Sequence, residues 1–471
     1  MKKTRIFRLL CAVAVVAAFF ICAATAAIAD DRDGFRSRIM RAHPPDEQGI
    51  GGLELLPESS LPHHDGRQWL GHTHLRVLAP ADGNDTPTSQ QDAVRNRAKW
   101  QDRAASGGNN AESTFNPSNN PNQNTPASLA CIYGLVAQPA SQPPGCDPRY
   151  TSVNVTGGFG AIAIVVAYDN PTAAADLAAF SRYFGLPQAN FQVVYAGGPA
   201  PFITGPRPPS GVANGWAPEA SLDIEWAHAF APSARIYLVE AQNESMNAMI
   251  TAVIAAQNLV YRAGGGQVSM SWGVNEFSNE AAWDYYFSPS FVSQNVQFVA
   301  TAGDNNEKVS YPAVSPYVIS VGGTTILRNT AGRFTSESTW SDGGGGLSRY
   351  LARPSFQGSA AVQRLVGARR GTPDISFVAN PNTGVAFYAQ GRWRTAGGTS
   401  IGAPAMAGIL NNAASRRGFL FSPAQQLSLM YARLGNGAYF RDISSGTCGA
   451  DRAAAGYDLC TGLGTPLTFS W

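Results

Sequence analysis

The sequence is poor in charge and in histidine, and each shortage excludes something. Only 14% of its 471 residues are charged while 44% are hydrophobic. That balance is too apolar for a disordered chain and carries no basic surface of the kind nucleic acid demands. The histidines are His43, His63, His64, His72, His74 and His228, so the last 390 or so residues, roughly counted, have a single imidazole for acid–base work. Cysteine is equally sparse, and no two cysteines stand in Cys-x-x-Cys spacing, which removes the usual signature of a four-cysteine zinc site. Glycine and proline, in contrast, are plentiful, with 49 and 31 residues. They suit a large α/β globule with many ordered loops.

The first 29 residues read as a secretory signal rather than as structure. Lys2, Lys3, Arg5 and Arg8 precede the apolar stretch Leu9 to Ile21, and Ala27-Ile28-Ala29 supplies small residues for cleavage. The apolar part is short for a membrane span. Export is therefore expected, to the extracellular space or the periplasm, with no membrane association once the signal is gone. Removing the four cations takes the net charge from +2 to −2, close to neutral, which argues against a polyanionic partner. Cys131, Cys146, Cys448 and Cys460 remain, and an even number in an exported chain reads as disulfides. Of the three pairings, closeness in sequence favours Cys131–Cys146 and Cys448–Cys460. Each closes a loop of about 15 residues and stabilises by about 3 kcal/mol if chain entropy dominates.

Residues 30–128 look unlike the rest of the chain. From Pro80 to Pro126 the sequence is rich in Asn, Ser, Pro, Asp and Gln, a composition that buries too little apolar surface to offset its ordering entropy. The segment is expected to be a low-complexity prosegment or linker ahead of a folded domain at 129–471. In that domain Ala161 to Ala167 is a continuous apolar run, the pattern of a strand covered on both faces. Phe191 to Tyr195, Ala234 to Val239, Gln267 to Ser271, Val296 to Ala300 and Tyr317 to Val321 are further strands. Helical periodicity fills the intervals at Ala173 to Phe184, Glu219 to Phe230 and Ala248 to Arg262. Alternation of this kind predicts an α/β fold with a doubly wound, mostly parallel sheet and helices on both faces. Such sheets hold ligands at the carboxyl ends of their strands.

Gly397-Gly398-Thr399-Ser400-Ile401-Gly402-Ala403-Pro404 leads into an apolar helical stretch. Glycines before a serine permit a tight turn and close backbone approach, and a serine at a helix start sits beside unpaired N–H groups. An ordinary N-capping serine has the same appearance. A nucleophilic serine needs a base, and His228 lies mid-helix among apolar residues, where a packed, hydrogen-bonded core histidine is the expectation. Carboxylates supply the alternative. Glu219 and Asp223 stand four apart and project from one helix face. Held together they cannot both ionise freely, so a proton is shared between them. Glu219 can take the serine proton while Asp223 orients it, although a solvated acidic helix start would read the same way. Asp304 ends the strand at Val296 to Ala300. Protonated, it could donate to the oxyanion of a tetrahedral intermediate; it could equally be a turn residue.

Pro218-Glu219-Ala220-Ser221-Leu222-Asp223, Ala302-Gly303-Asp304 and Gly398-Thr399-Ser400-Ile401-Gly402-Ala403-Pro404 occur in the order found in the sedolisin family of serine-carboxyl peptidases. The chain resembles a short-prosegment, bacterial-type member, and the resemblance runs from about Gly158 to Pro466. It includes Ser269-Met270-Ser271-Trp272-Gly273, the Gly343 to Ser348 loop and Pro373-Asp374-Ile375. It implies a subtilisin-like fold, Ser400 as nucleophile, Glu219 as base, Asp223 as its partner and Asp304 as oxyanion donor. It also implies one structural Ca²⁺, held by the carboxylates of Asp442 and Asp458 and the carbonyls of Ile443, Ala454 and Gly456. Ala454 departs from the glycine usual there. Thr301-Ala302-Gly303-Asp304-Asn305-Asn306 departs from the more usual Ser-Gly-Asp-Ser-Gly, and no large folded prodomain is evident.

The expectation is an exported, monomeric serine-type endopeptidase that takes protein or peptide substrates through an acyl-enzyme and works best in acid. Two alternatives stand beside it: a non-catalytic exported relative that serves as a binding or interaction protein, and a histidine-dependent subtilisin-like enzyme using His228.

Overall fold

A computed structural model of the chain describes residues 28–29, 37–43, 52–60, 69–78, 122–198, 204–293, 295–304 and 309–470. Residues 1–27 of the signal expected at 1–29 and most of the low-complexity stretch lie outside them, whereas the last two residues of that signal, Ile28–Ala29, form a short strand. The strands in chain order are β1 (Ile28–Ala29), β2 (Ser37–His43), β3 (Gly52–Pro57), β4 (His72–Thr73), β5 (Arg76–Leu78), β6 (Ala161–Ala167), β7 (Asn190–Tyr195), β8 (Arg235–Ala241), β9 (Gly266–Met270) and β10 (Trp272–Asn275). They continue as β11 (Val296–Thr301), β12 (Ser310–Tyr311), β13 (Val318–Arg328), β14 (Phe334–Thr339), β15 (Gly346–Ala352), β16 (Arg369–Thr372), β17 (Ile375–Val378), β18 (Val385–Ala389) and β19 (Arg392–Gly397). Five helices matter below: α1 (Pro126–Ile132), α2 (Ala173–Phe184), α3 (Trp216–Phe230), α4 (Met246–Arg262) and α5 (Gly402–Arg417).

The central sheet runs β14-β13-β11-β9-β6-β8-β7, with β17 beside β13. Every pair is parallel except β13–β14. All seven residues of β6 are buried, because a central parallel strand is covered on both faces by helices. Truncating Ile164 there would cost about 2–5 kcal/mol. The fold is the doubly wound α/β arrangement expected, with each expected strand and helix in place. Helices α3 and α5 pack on each other, and Gly408 makes this possible: a Cβ at that position would lie 2.7 Å from Phe230 Cβ and 2.9 Å from the Ala227 carbonyl oxygen. This contact brings the start of α3 and the turn preceding α5 to one place.

Both favoured disulfides are present, Cys131–Cys146 and Cys448–Cys460. The N-terminal part differs from a simple linker. The boundary at 128/129 falls inside α1, which is opened by a capping box between Thr125 and Ser128. Residues 71–77 are buried, and a six-stranded sheet in the order β1-β2-β3-β5-β19-β18 joins them to the body. His74-Leu75-Arg76-Val77 has the alternation of a strand, and the pairing of β4 with β10 and of β5 with β19, both distant in sequence, is what buries it.

Candidate active site

The serine comes first, because the backbone around it is the most constrained. β19 ends at Gly397, Gly398 has φ +93° and Thr399–Ile401 forms a 3₁₀ turn running into α5. A Cβ on Gly398 would lie 1.8 Å from the His74 carbonyl oxygen and 2.8 Å from Asp304 Oδ2, so only glycine allows another chain to pass here. Ser400 is fully buried at the positive end of α5, where developing negative charge is favoured.

Helix α3 presents the two acids of the expected pair from a face that is wholly buried. Asp223 Oδ1 accepts from Ser271 Oγ at 2.7 Å, and the same hydroxyl lies 3.3 Å from the Ser400 carbonyl oxygen. Glu219 stands against both Asp223 and Ser400, yet among the described residues neither of its oxygens completes a hydrogen bond. Burial pushes the Glu219 carboxyl well up, and the Asp223 charge adds to it while the Ser400 hydroxyl pulls it back. Burial also raises Asp223, opposed by the Ser271 hydroxyl and by Glu219. The pair thus holds a proton that isolated carboxyls would lose.

Asp304 lies just beyond β11. Its Oδ1 accepts from Thr399 N at 2.9 Å and from Thr399 Oγ1 at 2.8 Å, which leaves Oδ2 directed at the point crowded by the His74 carbonyl. Burial raises its carboxyl to about 6 against the pull of Arg76, His74 and the two Thr399 donors. Gly344 N donates to the Gly303 carbonyl oxygen at 2.7 Å, so the glycine loop after β14 braces this turn. Ser400, Glu219, Asp223 and Asp304 therefore meet in one buried cluster at the carboxyl ends of the strands.

A strand of the same chain lies across that cluster. β4 pairs antiparallel with β10, Trp272 opposite Thr73 and Gly273 opposite His72. β5 pairs antiparallel with β19, Gly397 opposite Arg76 and Ala396 opposite Val77. Between them the His74 N–H reaches Ser400 Oγ at 3.2 Å, while His74 Nδ1 pairs with Thr301 Oγ1 at 2.7 Å. Thr399, His74, Arg76 and the acid Asp342 that meets Arg76 carry no local signal in the sequence; their roles depend on contacts across 95 to 326 residues. His228, by contrast, is buried on α3 with Nε2 against the Pro187 carbonyl oxygen at 2.9 Å, and burial lowers its pKa.

Near the C-terminus, Asp442 Oδ2 accepts from Gly456 N at 3.0 Å and Asp458 Oδ2 from Ala454 N at 3.1 Å. Two carboxylates thus converge on one three-residue turn. Among the described residues no cluster of three or more acidic, histidine or cysteine side chains exists, so any cation here would depend on main-chain carbonyls as well. An all-oxygen set of that composition fits a hard cation.

A doubly wound parallel sheet that carries a buried serine at the start of a helix is an arrangement that subtilases share with other α/β hydrolases. Residues 210–449 match the profile of the Subtilase family, and the chain belongs to that family. Among curated proteins the chain is similar to peptidases of the sedolisin type. It is 33% identical over 287 residues to kumamolisin of Bacillus sp. (strain MN-32), covering 55% of this chain and 51% of that protein. It is 34% identical over 209 residues to sedolisin of Pseudomonas sp. (strain 101), covering 40% of this chain and 34% of that protein. The chain thus spans about half the length, or less, of these curated relatives. Among solved structures, Pseudomonas sedolisin, a serine-carboxyl proteinase complexed with two molecules of pseudo-iodotyrostatin, superposes with a TM-score of 0.58 at 24% identity, covering 73% of this chain and 95% of that one. That likeness is one of fold.

Proposed function

We propose that the chain is a serine-carboxyl endopeptidase. The observation that carries this reading is a buried serine hydroxyl set against a proton-holding Glu219–Asp223 pair, with extended main chain lying across it. In the proposed reaction Ser400 Oγ attacks the carbonyl carbon of a peptide bond and Glu219 takes the hydroxyl proton. Asp223 holds Glu219 in place and shares its charge. Protonated Asp304 donates to the oxyanion together with the N–H groups at the start of α5. The C–N bond then breaks, Glu219 returns the proton to the leaving amine, and water releases the acyl group by the same route.

Degradation of casein by the purified protein, followed by mass spectrometry, tests this. Cleavage is expected with wild type, and none with Ser400→Ala or Glu219→Gln. The histidine-dependent alternative is disfavoured by the Pro187 contact of His228, and His228→Ala is expected to cleave normally. Cleavage by Ser400→Ala, or none by wild type, overturns the reading; the second result leaves the non-catalytic relative standing. Export is supported by the two disulfides, and among the described residues no helix is long and apolar enough to cross a membrane. The same reading assigns one Ca²⁺ to Asp442 and Asp458 with the carbonyls of Ile443, Ala454 and Gly456, where it would tie the turn at 454–456 to the strand at Phe440–Arg441.

A further inference from the structure

Three residues lie beside the cluster, and one of them touches it: Arg76 Nε is 3.4 Å from Asp304 Oδ2. Arg76 is 1% exposed, Asp342 4% and Trp340 3%. Arg76 Nη1 lies 2.9 Å from Asp342 Oδ2, and its guanidinium carbon sits 4.6 Å from the centre of the Trp340 ring. A guanidinium taken out of water needs both a counter-charge and further contacts, and here Asp342 at hydrogen-bond distance, the more distant Asp304 and an aromatic face supply them. Trp340 and Asp342 are fixed in place: Trp340 N donates to the Gly323 carbonyl oxygen at 3.1 Å, and Gly343 N donates to the Trp340 carbonyl oxygen at 3.1 Å.

The position of Arg76 along the cleft gives this contact its meaning. His74 places its N–H on Ser400 Oγ. Its carbonyl oxygen crowds the same point above Gly398 as Asp304 Oδ2, where an oxyanion would form. The peptide bond offered to Ser400 is therefore His74–Leu75, and Arg76 is the second residue on the leaving-group side, opposite Gly397. The chain's own strand thus lies as a peptide substrate would, and it shows which side chain this part of the cleft accepts.

We infer that Trp340 and Asp342 form a guanidinium subsite, so that the peptidase selects peptides with arginine two residues after the scissile bond. This rests on the peptidase reading above and deepens it. Lysine is the weaker occupant, because an ammonium cannot lie flat on the indole while meeting the carboxylate side-on.

The test uses the full chain with Arg76→Ala, so that its own arginine does not fill the subsite, incubated in acid with a mixed peptide library. Sequencing the product ends by mass spectrometry is expected to show arginine enriched about tenfold at that position, as one well-placed charge-assisted contact provides. Adding Asp342→Asn should bring the enrichment close to unity. Because Asp342 is buried and its replacement could unfold the loop, a second measurement leaves the protein unchanged. Hexapeptides carrying arginine or its uncharged isostere citrulline at that position are compared by kcat/KM, with arginine expected to be favoured about tenfold. Equal rates for the two peptides, or arginine enrichment that survives Asp342→Asn, overturns the subsite while the peptidase reading stands. A chain that cuts no peptide at all overturns both.

Discussion

The main-chain N–H of His74 lies 3.2 Å from Ser400 Oγ, a contact between residues 326 positions apart. It means that the cleft is filled from within. β4 and β5 occupy the strand positions on either side of Ser400 that an incoming peptide would need.

This contact leads to a prediction about the chain itself. Incubated in acid, the full chain should be nicked between His74 and Leu75, and Ser400→Ala should remain whole. Intact-mass measurement with sequencing of the new end reads the position directly. A nick elsewhere, or one equally present in Ser400→Ala, would contradict the register described here.

The pH dependence is set by Asp304. Its carboxyl, raised to about 6 mainly by burial, donates only when protonated, so kcat/KM should rise as pH falls through that value. Asn at 304 carries a donor at every pH, so Asp304→Asn should flatten that limb while lowering the maximum, since one oxyanion donor typically governs 10²–10³ in rate, roughly. Thr399→Val removes a hydroxyl that stabilises the ionised form; the limb should move to higher pH. A limb that stays in place in both variants would rule out Asp304 as its source.

The buried pair has a consequence for stability with a definite sign. Glu219 and Asp223 have folded pKa values raised above their ordinary ones, so the folded state binds protons more tightly. Stability is then greatest at low pH and declines as pH rises from the ordinary carboxyl range toward the raised values. In a Ser400→Ala background, Glu219→Gln should therefore raise Tm at pH 7 by more than at pH 4. Thermal unfolding of the two proteins at both values checks this, and a larger gain in acid would reverse the argument.

Removal of Ca²⁺ should loosen the C-terminal turn. With the cation at about a hundredfold over its Kd, chelation is expected to cost about 3 kcal/mol and several degrees in Tm. Asp442→Ala and Asp458→Ala should each abolish the response to chelator. An unchanged Tm with and without chelator in the wild type would leave the two aspartates as turn residues only.

Much of this architecture was legible because its signals are local. The apolar run of β6 and the 3.6-residue periodicity of α2 fix those elements from a few consecutive residues, and their observed ends agree with that reading. Ser400, Glu219, Asp223 and Asp304 could be named because each stands in a short motif. What was missed is non-local. Residues 69–78 border the polar, low-complexity stretch that begins at Pro80, and composition averaged over a window conceals a short strand that completes its hydrogen bonds with partners some 200 to 320 residues away, roughly. Thr399 looked like a neighbour of the nucleophile, and only its two hydrogen bonds to Asp304 show that it orients the acid.

The double attachment of β5 bears on what cutting the chain would accomplish. Arg76–Leu78 pairs with β19 on one side and with β3 on the other, Glu54 opposite Leu78 and Leu55 opposite Val77. A break before Leu75 therefore severs the covalent path without severing the sheet. The two ends become ligands held at high effective concentration, and the fraction of open clefts is set by how often a tethered strand lifts away rather than by its intrinsic affinity.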